Sequence, residues 1–372
     1  MFLQRICFQA VTTAFTKKVL LGVCFAALLS LATVVLLELV LRFFPMLLPE
    51  PARSIVRQAA RTELCNTRMY NGTSILLPQV RHADIVAVGD SFTFGSYVRE
   101  SDAFPAQLGK KLGRSVANLG IASTGPPEYN RMAEVATCYS PQLLLYCIFA
   151  NDFETGLVSH GPSLSAANAC KAMAGDERLF QREDSGWMQR QRLRKQLTNL
   201  SLLLHLMKLR HQPVFKNLDQ VPARCNGQFF AFAGTNYWNP QVSWETPAVR
   251  AATESNVSLI ERVKALADAC HFSLLVILVP TKEMVYGPLL GDSRFFCQAQ
   301  HQTYDELSAR LQKARVACFD LTEPLTAAAR TGESLYLAID GHLDESGHSR
   351  VAQILAEYIS AHPMLLSAGK TE

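Results

Sequence analysis

The chain carries no charge excess large enough to define a partner: 36 Lys and Arg stand against 32 Asp and Glu, a net charge of +4. No basic run is interleaved with aromatic residues, so nothing in the pattern asks for nucleic acid. The 10 cysteines form no Cys-x-x-Cys pair and no Cys/His cluster with zinc spacing, which leaves no metal centre to expect. Internal repeats and low-complexity tracts are also missing, and repeat architectures are excluded with them. No organic cofactor is implied either.

Charge is absent from one long stretch in particular. Between Val19 and Leu41 only Glu38 is charged, and much of the 49% hydrophobic content is concentrated here. As a helix this run would extend about 35 Å, enough to cross a bilayer with slight tilt. Arg5, Lys17 and Lys18 precede it, which places residues 1–18 in the cytoplasm and 19–43 in the membrane. A cleavable signal peptide would carry a shorter apolar core of about 7–15 residues, so an uncleaved anchor is the expectation. Residues 44–80 read as a polar, proline-containing connector, 81–365 as the main folded domain and 366–372 as a tail. Cys7 and Cys24 fall in the anchor region, and the even remainder suits disulfides in an oxidising compartment. Cys147 and Cys318 sit in apolar runs and read as core. Cys170 and Cys225 are the expected disulfide pair.

Beyond residue 80, short apolar runs alternate with helical periodicity. Runs at 84–89, 115–120, 143–149, 272–279 and 316–321 read as strands. Helical stretches fall near 103–113, 128–139, 255–270, 301–314 and 346–361. This alternation predicts a parallel five-stranded sheet with right-handed crossovers, covered by helices on both faces and probed by ligands at its carboxyl end. The interval 153–254 breaks the rhythm. It opens with a Gly/Ser/Ala-rich loop and continues into the basic segment Trp187–Lys195 and an apolar continuation to Met207. That pattern predicts an inserted amphipathic helix, capping the crevice or packing on the core, with contact to anionic lipid as the other reading.

The chemistry-bearing residues fall where the strands end. Ile85–Gly89 runs into Gly89-Asp90-Ser91, which leaves a serine at a strand's carboxyl end; it is a nucleophile if a histidine can reach it and a helix cap otherwise. The second strand enters the small-residue turn Asn118–Gly125, and the third ends in Phe149-Ala-Asn-Asp-Phe153. Near the C-terminus comes Asp340-Gly-His-Leu-Asp-Glu-Ser-Gly-His348. Acyl transfer needs a general base, an orienter for it and donors for an oxyanion. His342 can serve as base toward Ser91, with Asp340 holding its tautomer. The donors would be the Ser91 amide, an amide of the 120–125 turn and the Asn151 side chain, although Asn151 also suits an ordinary turn. His348, one turn into the last helix, reads as a helix-surface residue.

In that order these blocks resemble the SGNH/GDSL hydrolase superfamily. The resemblance covers residues 82–155 and about 270–362, with 153–254 unmatched. It implies a three-layer, flavodoxin-like α/β sandwich with sheet order 2-1-3-4-5, preceded here by one transmembrane helix. It implies ester chemistry with Ser91 as nucleophile, His342 as base and Asp340 as its partner, or Asp344 in Asp340's place. Asn151 becomes an oxyanion donor beside Ser91. The family's second-block glycine aligns with Ser123, so the remaining amide belongs to Ser123, Gly120 or Gly125. Pro280-Thr-Lys-Glu283 and Asp320-Leu-Thr-Glu-Pro324 are similar to the membrane-anchored bacterial branch of alginate O-acetyltransferase-like proteins. The expected protein is therefore a serine esterase of the bacterial inner membrane, facing the periplasm, acting on acyl esters (O-acetyl among them) of an envelope glycan or lipid. An O-acyltransferase using the same serine and a non-catalytic glycan- or lipid-binding protein are the alternatives. Because Lys17 and Lys18 precede the apolar run, a reporter active only in the cytoplasm and fused after residue 372 should be silent. Strong reporter activity there would overturn the topology.

Overall fold

In a computed structural model, residues 2–48, 53, 82–153, 221–291 and 298–367 are described. The chain begins with one helix, α1 (Phe2–Phe43), and its segment Val19–Leu41 is long and apolar enough to cross a membrane. The helix is continuous through the residues expected to precede the membrane, since nothing between Phe2 and Lys18 breaks it. Most of the expected connector at 44–80 and the basic segment 187–207 lie outside the described residues.

The sheet is built from five parallel strands in the order β2-β1-β3-β6-β7. These are β1 (Ile85–Val88), β2 (Val116–Asn118), β3 (Leu143–Phe149), β6 (Ser273–Val279) and β7 (Ala317–Asp320). Every residue of β1 and β3 is buried, as is every residue of β6 after Ser273. Burial on both faces is why these strands read as unbroken apolar runs instead of alternating ones. The register sets Ile85 against Leu143 and Leu143 against Ser273, so β3 is the axis of the sheet. The order reverses between β1 and β3, and in an open α/β sheet that reversal opens a crevice above the strands' carboxyl ends.

Helices cover the sheet as the alternation predicts. They are α3 (Phe104–Leu112), α4 (Pro126–Ala136), α6 (Pro247–Cys270), α8 (Gln298–Lys313) and α10 (Glu345–Ala361). Three elements depart from the sequence reading. Helix α7 (Lys282–Leu290) carries Pro288 internally, and α9 (Thr322–Arg330) has a proline near its start. Both prolines sit in helices held by tertiary packing. The third departure is in the interval assigned to the insert. Residues 221–254 form an antiparallel hairpin of β4 (Val221–Cys225) and β5 (Gln228–Phe232), then α5 (Thr235–Val242) and the start of α6. Phe230, Phe232, Trp238 and Val242 join the one hydrophobic core. The hairpin turns at Asn226-Gly227, both with positive φ (49° and 75°), the Asn-Gly chemistry of a tight hairpin.

The cysteines differ from expectation at one point. Cys225 is free and buried, so it makes no bridge to Cys170, which lies outside the described residues. Cys138 is disulfide-bonded.

One glycine lets the turn after β2 pack against the backbone of residues 93–94. A Cβ at Gly120 would come within 2.4 Å of the Phe94 amide nitrogen and 2.7 Å of the Thr93 carbonyl carbon. Backbone on both sides leaves nothing flexible to yield. Gly120→Ala should therefore cost about 1–3 kcal/mol of stability through overpacking, read from urea unfolding of the detergent-solubilised chain. An unchanged midpoint would mean that the two turns are not in contact.

Candidate active site

Ser91 opens the short helix α2 (Ser91–Phe94) directly after β1. Asp90 caps that helix: its carboxylate accepts from the Phe92 amide at 2.9 Å. Gly89 precedes it because a Cβ there would meet Thr93 Oγ1 at 2.2 Å. The strand can then turn sharply and leave the Ser91 hydroxyl at the sheet's rim. As first residue of the helix, Ser91 has an amide outside the intrahelical ladder, which makes it available to an anion.

His342 and Asp340 arrive from the irregular loop between α9 and α10. Ser91 Oγ lies 2.8 Å from His342 Nε2, and His342 Nδ1 lies 2.5 Å from Asp340 Oδ1. The same carboxylate oxygen accepts the backbone N–H of His342 at 2.9 Å. This fold-back of an aspartate onto the amide two residues on is an Asx turn. It explains how a pair separated by Gly341 alone becomes a working couple: the turn carries the carboxylate to the ring of its own near neighbour. Asp344, the alternative orienter, is occupied elsewhere. It is the N-cap of α10, accepting the Gly347 amide at 3.0 Å.

The charges support each other. Burial raises the Asp340 pKa, but the His342 charge and its hydrogen bonds outweigh burial and bring it from 3.8 to about 2. Burial works against the His342 imidazolium, yet the Asp340 carboxylate, its hydrogen bond and the more distant Asp90 together raise its pKa. Phe92 stacks on the imidazole at 4.8 Å between ring centroids, and Tyr97 approaches it at 5.3 Å. The ring is thus fixed by a carboxylate, a hydroxyl and aromatic faces.

Of the candidate oxyanion donors, two are already committed. The Gly120 amide donates to Asn118 Oδ1 at 2.9 Å, while Asn118 Nδ2 donates to the Thr93 carbonyl at 2.7 Å. Gly120 is therefore a packing glycine, and its expected donor role is corrected by that bond. The Gly125 amide faces Glu128 Oε2 at 3.4 Å. Ser123 remains, exposed in the turn with φ 63° and with no described group accepting from its amide. A left-handed φ is what a glycine would adopt there, consistent with the alignment of Ser123 on the family's glycine. Asn151 follows β3, across the switch point from Ser91, and its Nδ2 makes only a long contact of 3.4 Å with Asp90 Oδ2.

Asp152 has a different task. Its carboxylate accepts the Tyr129 hydroxyl at 2.8 Å and the Phe149 amide at 2.9 Å, and its carbonyl accepts Asn256 Nδ2 at 3.0 Å. These bonds brace the turn that presents Asn151. Burial, followed by the charge of Asp90, pushes its pKa well up. His348, expected on the helix surface, is 1% exposed. Its Nδ1 accepts the Phe104 amide at 3.2 Å, tying α10 to α3, and burial drops its pKa to about 3. It is a neutral core histidine, and its place on the inner face of α10 corrects the surface reading. Among the described residues no group of three or more His, Cys, Asp and Glu side chains could hold a metal ion.

Residues 234–372 match the family described as SGNH hydrolase-like domain, acetyltransferase AlgX. The chain is 28% identical over 120 residues to "Probable alginate O-acetylase AlgJ" of Pseudomonas putida, covering 32% of this chain and 31% of that protein. It is 27% identical over 129 residues to the protein of the same name from Pseudomonas fluorescens, covering 34% of this chain and 32% of that protein. The chain thus spans about a third of the length of the curated relatives it matches. A solved member of the lipolytic protein G-D-S-L family from Veillonella parvula aligns at 11% identity with a TM-score of 0.38, over 74% of this chain and 97% of that one. Over residues 234–372 the chain is similar to that SGNH hydrolase-like family. The match from residue 234 reaches into the interval that the sequence reading left unmatched.

The sign of one pH effect follows from the Asp340–His342 couple. Only neutral imidazole accepts the serine's proton, and Asp340 favours the imidazolium. In Asp340→Asn the His342 pKa falls, so the acidic limb of kcat/KM for an aryl acetate should move to lower pH. The plateau should drop as well, by up to about 10⁴-fold, because the amide no longer selects the tautomer. A limb that stays put or moves upward would remove Asp340 from the couple.

Proposed function

We propose that this protein is a membrane-anchored serine esterase acting on acyl esters of an envelope glycan, acetyl esters first among them. The observation that carries the reading is the unbroken hydrogen-bonded line Asp340–His342–Ser91 at the carboxyl ends of the strands, with Ser123 in the turn after β2 and Asn151 in the turn after β3.

The steps follow from the geometry. As Ser91 Oγ bonds to the ester carbonyl carbon, its proton passes to His342 Nε2, and the imidazolium is balanced by Asp340. The carbonyl oxygen becomes an oxyanion met by the Ser91 amide, the Ser123 amide and Asn151 Nδ2. Each such donor contributes about 2.7–4 kcal/mol in the transition state. Collapse breaks the ester C–O bond, and His342 returns the proton to the departing alkoxide, leaving acyl-Ser91. Water then gives its proton to His342 as its oxygen bonds to the acyl carbon; the acyl C–Oγ bond breaks, His342 returns the proton to Ser91 Oγ, and the carboxylic acid leaves.

A second reading, O-acyltransferase, is favoured by the acetyltransferase description of the family matched over 234–372 and by the O-acetylase name of the Pseudomonas relatives. In that case a glycan hydroxyl takes water's place in the last step. The candidate membrane span and the disulfide-bonded Cys138 both support a site outside the cytoplasm, at the bacterial inner membrane and facing the periplasm.

The test is a screen of acetyl, butyryl and octanoyl aryl esters with and without an O-deacetylated uronate oligosaccharide, followed by mass spectrometry of the sugar. Acetyl turnover giving acetate identifies the esterase, and acetyl transfer to the sugar identifies the transferase. Ser91→Ala should lose at least about 10³-fold of turnover and all labelling by a fluorophosphonate probe. Labelling that persists in Ser91→Ala would reduce Ser91 to a helix cap and remove the enzyme reading.

A further inference from the structure

Lys282 is a cation placed where lysine is seldom found. It is the first residue of α7 and only 1% exposed. Its Nζ donates to the carbonyls of Ala231 at 2.7 Å, Asp340 at 3.0 Å and Leu337 at 3.2 Å, with Ala338 O at 3.5 Å. An ammonium has three protons and a neutral amine only two, so this ring of acceptors is matched to the charged form. The rings of Phe232 and Phe230 flank it at 5.5 and 6.0 Å from their centroids. Burial pushes the Lys282 pKa down while Glu283 and Asp340 oppose that shift, and with its N–H groups committed to carbonyls the side chain is set to hold backbone.

Its acceptors belong to two segments. Ala231 is in β5, and residues 337–340 lead into the Asp340–His342 turn. One strand-like bond also joins them, from the Ala231 amide to the Ala338 carbonyl at 2.7 Å. The neighbouring Glu283 anchors the hairpin from the same helical turn, accepting the Ala233 amide at 2.7 Å. The Asp340 carbonyl thus rests on Lys282 while the Asp340 carboxylate holds His342.

We propose that Lys282 is a positioning residue of the active site, whose ammonium fixes the backbone of Asp340 against β5 and so sets where His342 meets Ser91. This rests on the serine-nucleophile reading above. The charge has a second consequence. The groups that face His342 are Asp340, Asp90, Ser91, the more distant Lys282 and the neutral His348. Of these, Lys282 disfavours the imidazolium while the two carboxylates favour it. Glu283 and Asp340 are the carboxylates facing Lys282 itself. Removing the Lys282 charge therefore shifts His342 upward, opposite in sign to Asp340→Asn.

The experiment measures the pH dependence of two rates in the full chain: fluorophosphonate labelling of Ser91 and hydrolysis of an aryl acetate. The His342 imidazole is titrated in parallel by NMR, which needs no reactivity. In Lys282→Met, kcat should fall about 10-fold or more with KM within about twofold, and the acidic limb should move to higher pH. Lys282→Arg should return the limb toward its wild-type position. Should Lys282→Met not fold by circular dichroism, Lys282→Gln decides, since it keeps N–H donors and loses only the charge; its limb and NMR titration should still move upward. Wild-type kcat and an unmoved titration in the neutral variants would overturn the proposal, as would a loss confined to KM. Absence of labelling in the wild type would count against the nucleophile, and the NMR titration would still judge the clamp.

Discussion

One oxygen atom, Asp340 Oδ1, accepts both the backbone amide and the ring N–H of His342, and the site is oriented through it. Two donors on one acceptor fix the carboxylate to its own chain as firmly as to the imidazole. The imidazole then has no freedom to choose a tautomer: Nδ1 carries the proton and Nε2 faces Ser91. In a partly buried site the effective dielectric is well below that of water, so an aligned charge acts strongly on the proton transfer. The shifts follow the same logic, with the acid made more acidic and the base more basic by each other's presence.

An orienter on a loop is only as good as the loop. Among the described residues, the segment between α9 and α10 has no strand or helix, and only one isolated bridge, between Tyr336 and Leu343. Its backbone groups are satisfied by particular side chains and by cross-loop bonds. The Tyr286 hydroxyl donates to the Glu333 carbonyl and accepts the Leu335 amide, both at 3.0 Å. Tyr336 donates to the Pro280 carbonyl at 2.8 Å, and the Leu337 amide closes on the His342 carbonyl at 2.9 Å. The Lys282 ammonium completes the set. Most of these partners come from α7 and the turn before it, so that helix serves as the loop's scaffold. This is how an irregular segment reaches the rigidity that proton transfer between fixed atoms requires.

The parts of the fold that were legible in sequence are those whose signal is local. A strand buried on both faces is a continuous apolar run, and β1, β3 and β6 announce themselves in that way. The hairpin was also written plainly, in Asn226-Gly227 between Arg224-Cys225 and Gln228-Phe-Phe230, but it falls in an interval whose basic segment draws attention to a different element. Helix α7 was hidden by Gly287 and Pro288, whose low helical propensity is overridden by packing against the core. Ser91, His342 and Asp340, which the fold brings into one hydrogen-bonded line, could be singled out because of their types and order. That the Gly120 amide is already taken could not. That depends on the Asn118 side chain turning back to take the Gly120 amide, a tertiary event. Pro280-Thr-Lys-Glu283 stood out as a motif, but the place of Lys282 did not, for the same reason: a lysine reads as surface until four carbonyls from two distant segments converge on it.

The backbone shows where the chain accepts strain. Among the described residues, six non-glycine residues have positive φ. His271 caps α6, Ser140 caps a 3₁₀ turn, Arg315 lies just past α8 and Asn226 forms the hairpin turn, all places where left-handed backbone ends an element. Tyr97 and Ser123, at φ 68° and 63°, end nothing of that kind. One has its ring against His342; the other lies in the turn after β2, with no described group accepting from its amide. Left-handed backbone in such residues costs of order 1–3 kcal/mol each and persists only where the surroundings over-determine it. Here the surroundings are the buried turns on either side of β1 and β2, held together by the close approach at Gly120. Two of the left-handed residues therefore sit at the carboxyl rim of the sheet, and the packing beneath them supplies the constraint.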